Sequence, residues 1–420
     1  MSNRVLIAGA SIAGPALAHW LHRYGFEVTV VERAPVLRPG GQAVDLRGVA
    51  KEVARRMGLD QQIRAACTDT RGMSVVNRKN KRLAELRADQ FEGDGMIAEI
   101  EILRGDPSAV LYGATKGDVE YVFGDRITEL DETGNGVEAR FASGVRRDFD
   151  VVVGADGLHS SLRAMVFGPE AEFVHHLGYL LCFFTVPNRL NLDSWALGYS
   201  EPGRMAGVRS IRDNKAAMAF LSIHAEPGGY DFRDTAGHKA LLREHLAGMA
   251  WEVPWLLEQM DTADDFYFDT CSQTRMEHWS KGRVVLLGDA AFCPSPISGQ
   301  GTSLAMIGAY VLAGELATSS GEHTAAFAEY ERRMRGIVEA TQKMGRDNAK
   351  RNAARNNFQL WVQRQLIRLM PYPPLKNLVT REMNKVINGI DLPDYRDLSH
   401  SSWPPAGRAL GEQLGGGDRS

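Results

Sequence analysis

Three strand-to-turn sites carry the groups best suited to chemistry. At the first, Gly9-Ala-Ser-Ile-Ala-Gly14 follows the apolar run Arg4–Ala8 and precedes a stretch of helical spacing, Pro15–Tyr24. A helix that opens in such a turn presents backbone N–H groups with no intrahelical acceptor, and its dipole favours negative charge, so a dinucleotide pyrophosphate suits it. Gly9, Ser11, Ile12, Ala13 and Gly14 are the candidate contacts. The usual pattern has a glycine in the middle position. Ser11 stands there instead, keeping the site small and adding a hydroxyl donor. Glu32 lies 18 residues after Gly14, at the end of the strand-like run Glu27–Val31. An acidic side chain at that point accepts hydrogen bonds from ribose hydroxyls.

The other two sites share one design. Asp150-Val-Val-Val-Gly-Ala-Asp-Gly-Leu-His-Ser-Ser-Leu-Arg163 and Arg283-Val-Val-Leu-Leu-Gly-Asp-Ala-Ala-Phe-Cys-Pro-Ser-Pro-Ile-Ser-Gly-Gln-Gly-Thr-Ser303 are each a β-branched run that stops at a Gly/Asp pair. Each then opens into a turn and a helix. This triple arrangement resembles the single-component FAD-dependent aromatic hydroxylases, a family of flavoprotein monooxygenases. The resemblance spans roughly residues 3–345 and concentrates at the three sites.

The resemblance assigns roles that spacing alone does not. Asp289 would bind the ribityl or pyrophosphate end of FAD, with Arg104 against the phosphates or ribose. Pro296, Gly299 and Gly301 lie in the segment that passes under the isoalloxazine ring. The helix opening at Thr302 and Ser303 would aim its positive end at the flavin. Asp156 belongs to a segment that supports both FAD and the nicotinamide cofactor. Arg33 and Arg38 are further FAD candidates; Arg38 and Gly41 lie in the loop expected near the flavin, where glycines would serve as a hinge for flavin movement. The family often has His and Asn where this chain has Phe292 and Ser303, which leaves the backbone roles intact. The implied activity uses NADPH or NADH and O2. A C4a-hydroperoxyflavin delivers one oxygen atom to an aromatic or polyketide-like molecule, and no side chain is assigned as acid or base.

The bulk properties fit that reading. Net charge is −3, with 44% hydrophobic and 24% charged residues, so the whole-chain balance favours neither nucleic acid nor an anionic membrane. Four scattered cysteines have no metal-ligand spacing and suit a reduced, cytoplasmic protein. The apolar stretch Val5–Leu21 is broken by Gly9, Gly14 and Pro15, so no membrane segment is expected. A monomer or homodimer acting on a small molecule is the expected state.

The elements that must position these sites follow from pattern. Val49–Met57 and Asp106–Thr115 read as helices, residues 35–48 as a loop, and residues 119–149 as a strand meander turning at Gly134-Asn-Gly136. Between 172 and 274 the texture is mostly antiparallel, with strand-like Tyr179–Val186, Trp195–Tyr199, Ala216–Ile223 and Phe266–Thr270 and a helix near Ala236–Met249. Helices Gly308–Ala317 and Thr324–Arg351 follow, and the basic run Lys343–Arg355 reads as a solvated helix face.

The expected fold class is α/β: a Rossmann-like FAD-binding domain assembled from residues 1–72, 97–171 and 275–345, with a β-rich substrate domain from 73–96 and 172–274. Residues 346–399 form a C-terminal helical segment and 400–420 a flexible tail. The alternatives are a same-fold flavin halogenase or reductase, or a non-catalytic flavoprotein binding module. The Trp-x-Trp-x-Ile-Pro signature of halogenases is absent. The purified protein is predicted to be yellow and to release intact FAD on denaturation. Release of FMN, or failure to take up any flavin on reconstitution, would contradict that.

Overall fold

A computed structural model describes residues 4–37, 41–91, 98–225, 228, 234–319 and 322–398. Its centre is a six-stranded sheet in the order Ser280–Lys281, Val284–Leu286, Val151–Gly154, Arg4–Ala8, Glu27–Glu32, Glu120–Phe123. All neighbours are parallel except the first pair. The central strands are apolar on both faces, as a parallel sheet covered on both sides requires. The helix Ala13–Arg23 is buried from Ala13 to Leu21 and packs on the helix Gly301–Thr318, itself buried from Thr302 to Leu316.

Local pattern located Val119–Phe123 but not its partner. The strand Glu120–Phe123 joins the central sheet beside Glu27–Glu32, and only Ile127–Thr133, Gly136–Phe141 and Arg146–Phe149 form the antiparallel meander. The segment 35–48, expected as loop, contains the strand Ala43–Leu46 paired with Ile100–Leu103. The strand Arg204–Ile211 and the helix Val253–Thr262 were not expected; the strand joins the second sheet and the helix packs against one of its faces.

That second sheet has seven strands, in the order Tyr267–Thr274, Val174–Pro187, Ala216–His224, Arg204–Ile211, Trp195–Glu201, Gly72–Val76, Arg82–Arg87. Period-2 alternation divides its faces. Along Val174–Pro187, Leu180, Cys182, Phe184 and Val186 pack with Leu242, Leu246 and Leu256 of the covering helices. Tyr179, Leu181 and Phe183 point the other way, toward Leu103, Ile297 and Ala349. A one-residue slip would exchange the two faces, so burial on both sides fixes the register.

Glycine sets the closest approaches at the edge of the central sheet. A Cβ on Gly14 would lie 1.9 Å from the Gly9 carbonyl oxygen, whereas one on Gly113, in the helix Gly105–Thr115, would meet nothing within 4 Å. Gly14→Ala is therefore expected to destabilise the protein by about 2–3 kcal/mol. Gly113→Ala is expected to be neutral or to stabilise by up to about 1 kcal/mol. Denaturant unfolding of the two variants compares them directly, and equal stabilities would contradict the packing.

Candidate cofactor and active site

The first turn is built by backbone contact. Gly9 has φ +108°, and a Cβ there would lie 2.4 Å from the Ala155 oxygen, so the turn is wedged against the end of the neighbouring strand. The helix begins without a side-chain cap at Ile12, and its first bond runs from the Ala16 N–H to the Ile12 oxygen. Pro15 has no N–H, so the amides of Ala13 and Gly14 are the open donors at this end. Glu32 accepts from the Ala10 N–H and the Ala34 N–H, each at 2.9 Å. Each of its oxygens keeps one more acceptor site, so the carboxylate can brace the turn and still face a ligand hydroxyl.

The third site lies over the first. Gly288 has φ +64°, and a Cβ there would come within 3.1 Å of the Ala13 Cβ. Asp289 starts the short turn Asp289–Phe292, with one carboxylate oxygen 3.7 Å from a Cβ placed on Gly301. Arg104 approaches from the other side. Its N–H donates to the Gln42 oxygen at 3.0 Å, and its guanidinium faces Tyr267, Asp289 and Asp269. Burial pushes the Asp289 carboxyl upward against the pull of Arg104. Gly41, with φ +95°, sits against Arg104. Arg33 is exposed, and Arg38 lies outside the described residues.

The second site braces the third. Asp156 accepts from the Ser160 hydroxyl and from the N–H groups of Ser161 and Leu162, capping the helix Ser161–Val166. Arg163, fully buried, donates to the Leu158 oxygen at 2.6 Å and to the Ala290 oxygen at 3.0 Å, which ties this segment to the Asp289 turn.

The segment before the long buried helix is strained and tight. Ser295 has φ +85° and Gly299 φ +65°, and a Cβ on Gly299 would lie 3.1 Å from an Asp45 carboxylate oxygen. Pro296, at the start of the turn Pro296–Ser298, is exposed. Gly301 opens the helix. Thr302 and Ser303 are buried in its first turn, and no acidic residue there offsets its positive end. The Ser303 hydroxyl accepts from the Arg47 N–H at 3.0 Å, and Asp45 pairs with the Arg47 guanidinium at 2.9 Å. The side-chain nitrogen of Gln300 is buried and has no acceptor among the described residues. A buried donor without an acceptor, beside open helix amides, fits a ligand rich in acceptors.

Several residues at the site carried no local signal. Phe183 stands 5.1 Å from Phe220 and 6.5 Å from Tyr267, ring to ring, on the sheet face turned toward Ile297. The Tyr267 hydroxyl donates to Asp269 at 2.6 Å. His159 then lies between Asp269, at 3.2 Å, and Glu170, at 3.0 Å. Only a fold that brings residues 159, 170 and 267–269 together reveals this chain of polar groups.

A parallel sheet with these three turns, and an aromatic-faced second sheet packed over them, defines a nucleotide-binding flavoprotein of the monooxygenase class. A family model described as an FAD binding domain matches residues 2–343. A flavin-dependent monooxygenase from an unknown prokaryotic organism is 36% identical over 402 residues, covering 94% of this chain and 99% of that protein. The chain therefore belongs to the FAD-binding-domain family of flavin-dependent monooxygenases. An uncharacterized protein of Mycobacterium tuberculosis (strain CDC 1551 / Oshkosh) is 46% identical, covering 82% of this chain and 93% of that one. The crystal structure of the tetracycline destructase Tet(51) superposes with a TM-score of 0.81 at 35% identity, covering 94% of this chain and 99% of that one. Among the described residues there is no cluster of metal-ligating side chains and no helix long and apolar enough to cross a membrane.

The His159 group makes a pH prediction. Burial opposes its cation, but Asp269 and Glu170 outweigh burial and hold it at about 9, above the ordinary 6.5. Arg163 approaches Glu170 at 3.5 Å and moderates that pull. A raised folded-state value stabilises fully below the unfolded value and is lost as pH rises through the folded one. His159→Gln is expected to cost about 1–2 kcal/mol near neutral pH, after allowance for its partial exposure. The gap should shrink as pH rises through about 9. Urea unfolding across that range measures it, and a gap that does not change with pH would remove the ionic role.

Proposed function

We propose that this flavin-dependent monooxygenase takes electrons from NADPH or NADH and inserts one atom of O2 into an aromatic or polycyclic, polyketide-like molecule. The balance is substrate, O2, NAD(P)H and a proton in, and hydroxylated product, water and NAD(P)+ out. Bound FAD supplies the electron relay and oxygen activation that no side chain can. The observation that carries the substrate class is the half-buried aromatic face of Phe183, Phe220 and Tyr267, directed at Ile297 in the segment beside the long helix. Sites for flat apolar molecules favour aromatic faces of this kind between domains. The relationship to a tetracycline destructase supports a polycyclic substrate.

The residues divide the work by position. Gly9, Ser11, Ile12, Ala13 and Gly14 would receive the pyrophosphate, and Glu32 the adenosine ribose. Arg104 and Asp289 would hold the ribityl–phosphate region, and Gly299, Gly301, Thr302 and Ser303 the flavin edge. Asp156 would act as a positioning residue, since its carboxylate is engaged in capping its own helix. Gly41 would let the loop pass closely by Arg104. Residues 1–72, 97–171 and 275–345 would form the FAD-binding domain, and 73–96 and 172–274 the substrate domain of a cytoplasmic enzyme. The protein's own task is to orient substrate and exclude water, and the tightly packed sheet face does both.

Two measurements test this reading. Across a panel of aromatic and polyketide compounds, at least one is expected to accelerate NADPH or NADH oxidation and to gain a single oxygen atom by mass. No acceleration by any compound, or a halogenated product, would overturn it. Glu32→Ala is expected to weaken FAD binding by about 1–3 kcal/mol, the usual loss for hydrogen bonds to a charged group. Asp289→Ala should lose as much or more, and flavin fluorescence titration reads both. Parental affinity in folded variants would take these residues out of the site.

A further inference from the structure

Whole-chain charge conceals a local surface at the carboxyl end. The helix Asn357–Leu369 is seated on the seven-stranded sheet by its buried Leu360, and the Arg364 guanidinium reaches the Ser200 oxygen at 3.4 Å. Its opposite stripe is apolar and exposed: Phe358 is 70%, Trp361 55% and Leu369 57% accessible, and Tyr372 beyond it is 63%. These positions follow the spacing of a single helix face. Phe358 and Trp361 stack at 6.0 Å. The next helix, Leu375–Ile387, adds Leu378, 56% accessible.

Charge frames this face. Between Arg355 and Lys385 the chain has six Lys and Arg residues against one acid, Glu382. Arg368, Arg381 and Lys385 are exposed on the same two helices, and Arg355 is exposed just before the first of them. Exposed Trp, Tyr, Phe and Leu bordered by cations on surface helices are the composition of a helix that lies in a lipid–water interface. We propose that the helices Asn357–Leu369 and Leu375–Ile387 dock this chain on an anionic lipid bilayer.

Charge complementarity selects this occupant. A second copy placed face to face by a two-fold axis would set cations against cations. Residues 399–420 contain two arginines and two acids, so they bring no net negative charge to the face. Anionic headgroups match the cationic border, and the apolar stripe enters the acyl boundary. The docked helix also ends at the cofactor loop, because a Cβ on Gly48 would lie 2.4 Å from the Ile387 oxygen.

Flotation of the full-length, FAD-loaded protein tests the proposal. The probes are vesicles of phosphatidylcholine alone and of phosphatidylcholine with phosphatidylglycerol. The expected result is strong binding to the anionic vesicles, at least about tenfold weaker binding to neutral ones, and weakening as salt is raised. Trp361→Glu with Leu369→Glu, and separately Arg368→Glu with Arg381→Glu, should each abolish flotation while FAD content and basal NAD(P)H oxidation stay at parental levels. Failure to float on anionic vesicles, or flotation unchanged by both pairs, would overturn the proposal. A lipid-free dimer that Trp361→Glu dissociates would assign the face to a second copy instead. Flotation by a chain ending at Leu398, but not by the full chain, would assign it to residues 399–420. Either outcome also overturns the proposal.

Discussion

The closeness of backbone to backbone at one edge of the central sheet governs the rest of the molecule. Gly14 rests on the Gly9 oxygen, Gly9 on the Ala155 oxygen, and Gly288 on Ala13. The first contact closes the turn on itself, and the other two join segments distant in sequence into one floor. A methyl group at any of them would push backbone apart, and the cost would fall on the turn whose free amides are proposed to receive the pyrophosphate. The small side chains therefore act jointly, and none of them does chemistry itself. The brace from Arg163 to Ala290 has the same purpose, holding the Asp289 turn at a fixed height over the first helix.

Above that floor, polar groups alternate in sign. Asp289, Arg104, Tyr267, Asp269, His159 and Glu170 form a continuous series from the buried interior to a half-exposed carboxylate. Buried charges are costly alone, and each member here has a neighbour of opposite sign or a hydrogen-bond donor. The series crosses from the central sheet to the seven-stranded sheet, so it also fixes how the aromatic face of Phe183 and Phe220 stands relative to the cofactor loop. Packing and electrostatics set the same interface, which is the place where the chemistry is proposed to occur.

Much of this was legible in sequence. The runs at Arg4–Ala8, Val151–Gly154 and Val284–Leu286 are short, β-branched and closed by glycine, so pattern alone located them. The strand Ala43–Leu46 was hidden because it is four residues long and flanked by glycine and proline, which read as loop. Arg204–Ile211 has arginine, glycine and serine among its apolar positions, so its alternation is weak. The strand Glu120–Phe123 was seen but misassigned, since a local pattern does not name its partner across a parallel sheet. Tyr267, Asp269 and His159 gave no signal because their association depends on long-range pairing. The helical segment at the carboxyl end was expected, but its exposed cationic and apolar face was not, because a net charge of −3 averages away a local excess of cations.

The order of the central sheet also constrains how the protein is made. The strands Arg4–Ala8 and Val151–Gly154 are neighbours, but the flanking strand Val284–Leu286 is synthesised much later. At about 5–20 residues per second, the ribosome leaves the first turn waiting on the order of tens of seconds for its partners. From its own synthesis until that of Val284–Leu286, Val151–Gly154 presents an unpaired apolar edge of the kind that recruits stray strands. Five strands of the seven-stranded sheet lie between Val151–Gly154 and Val284–Leu286 in sequence, so their folding during translation would shorten the chain separating the two. If the helix Gly301–Thr318 holds the flavin edge as proposed, cofactor capture is a late event in the life of the nascent chain, complete only after that helix has left the ribosome.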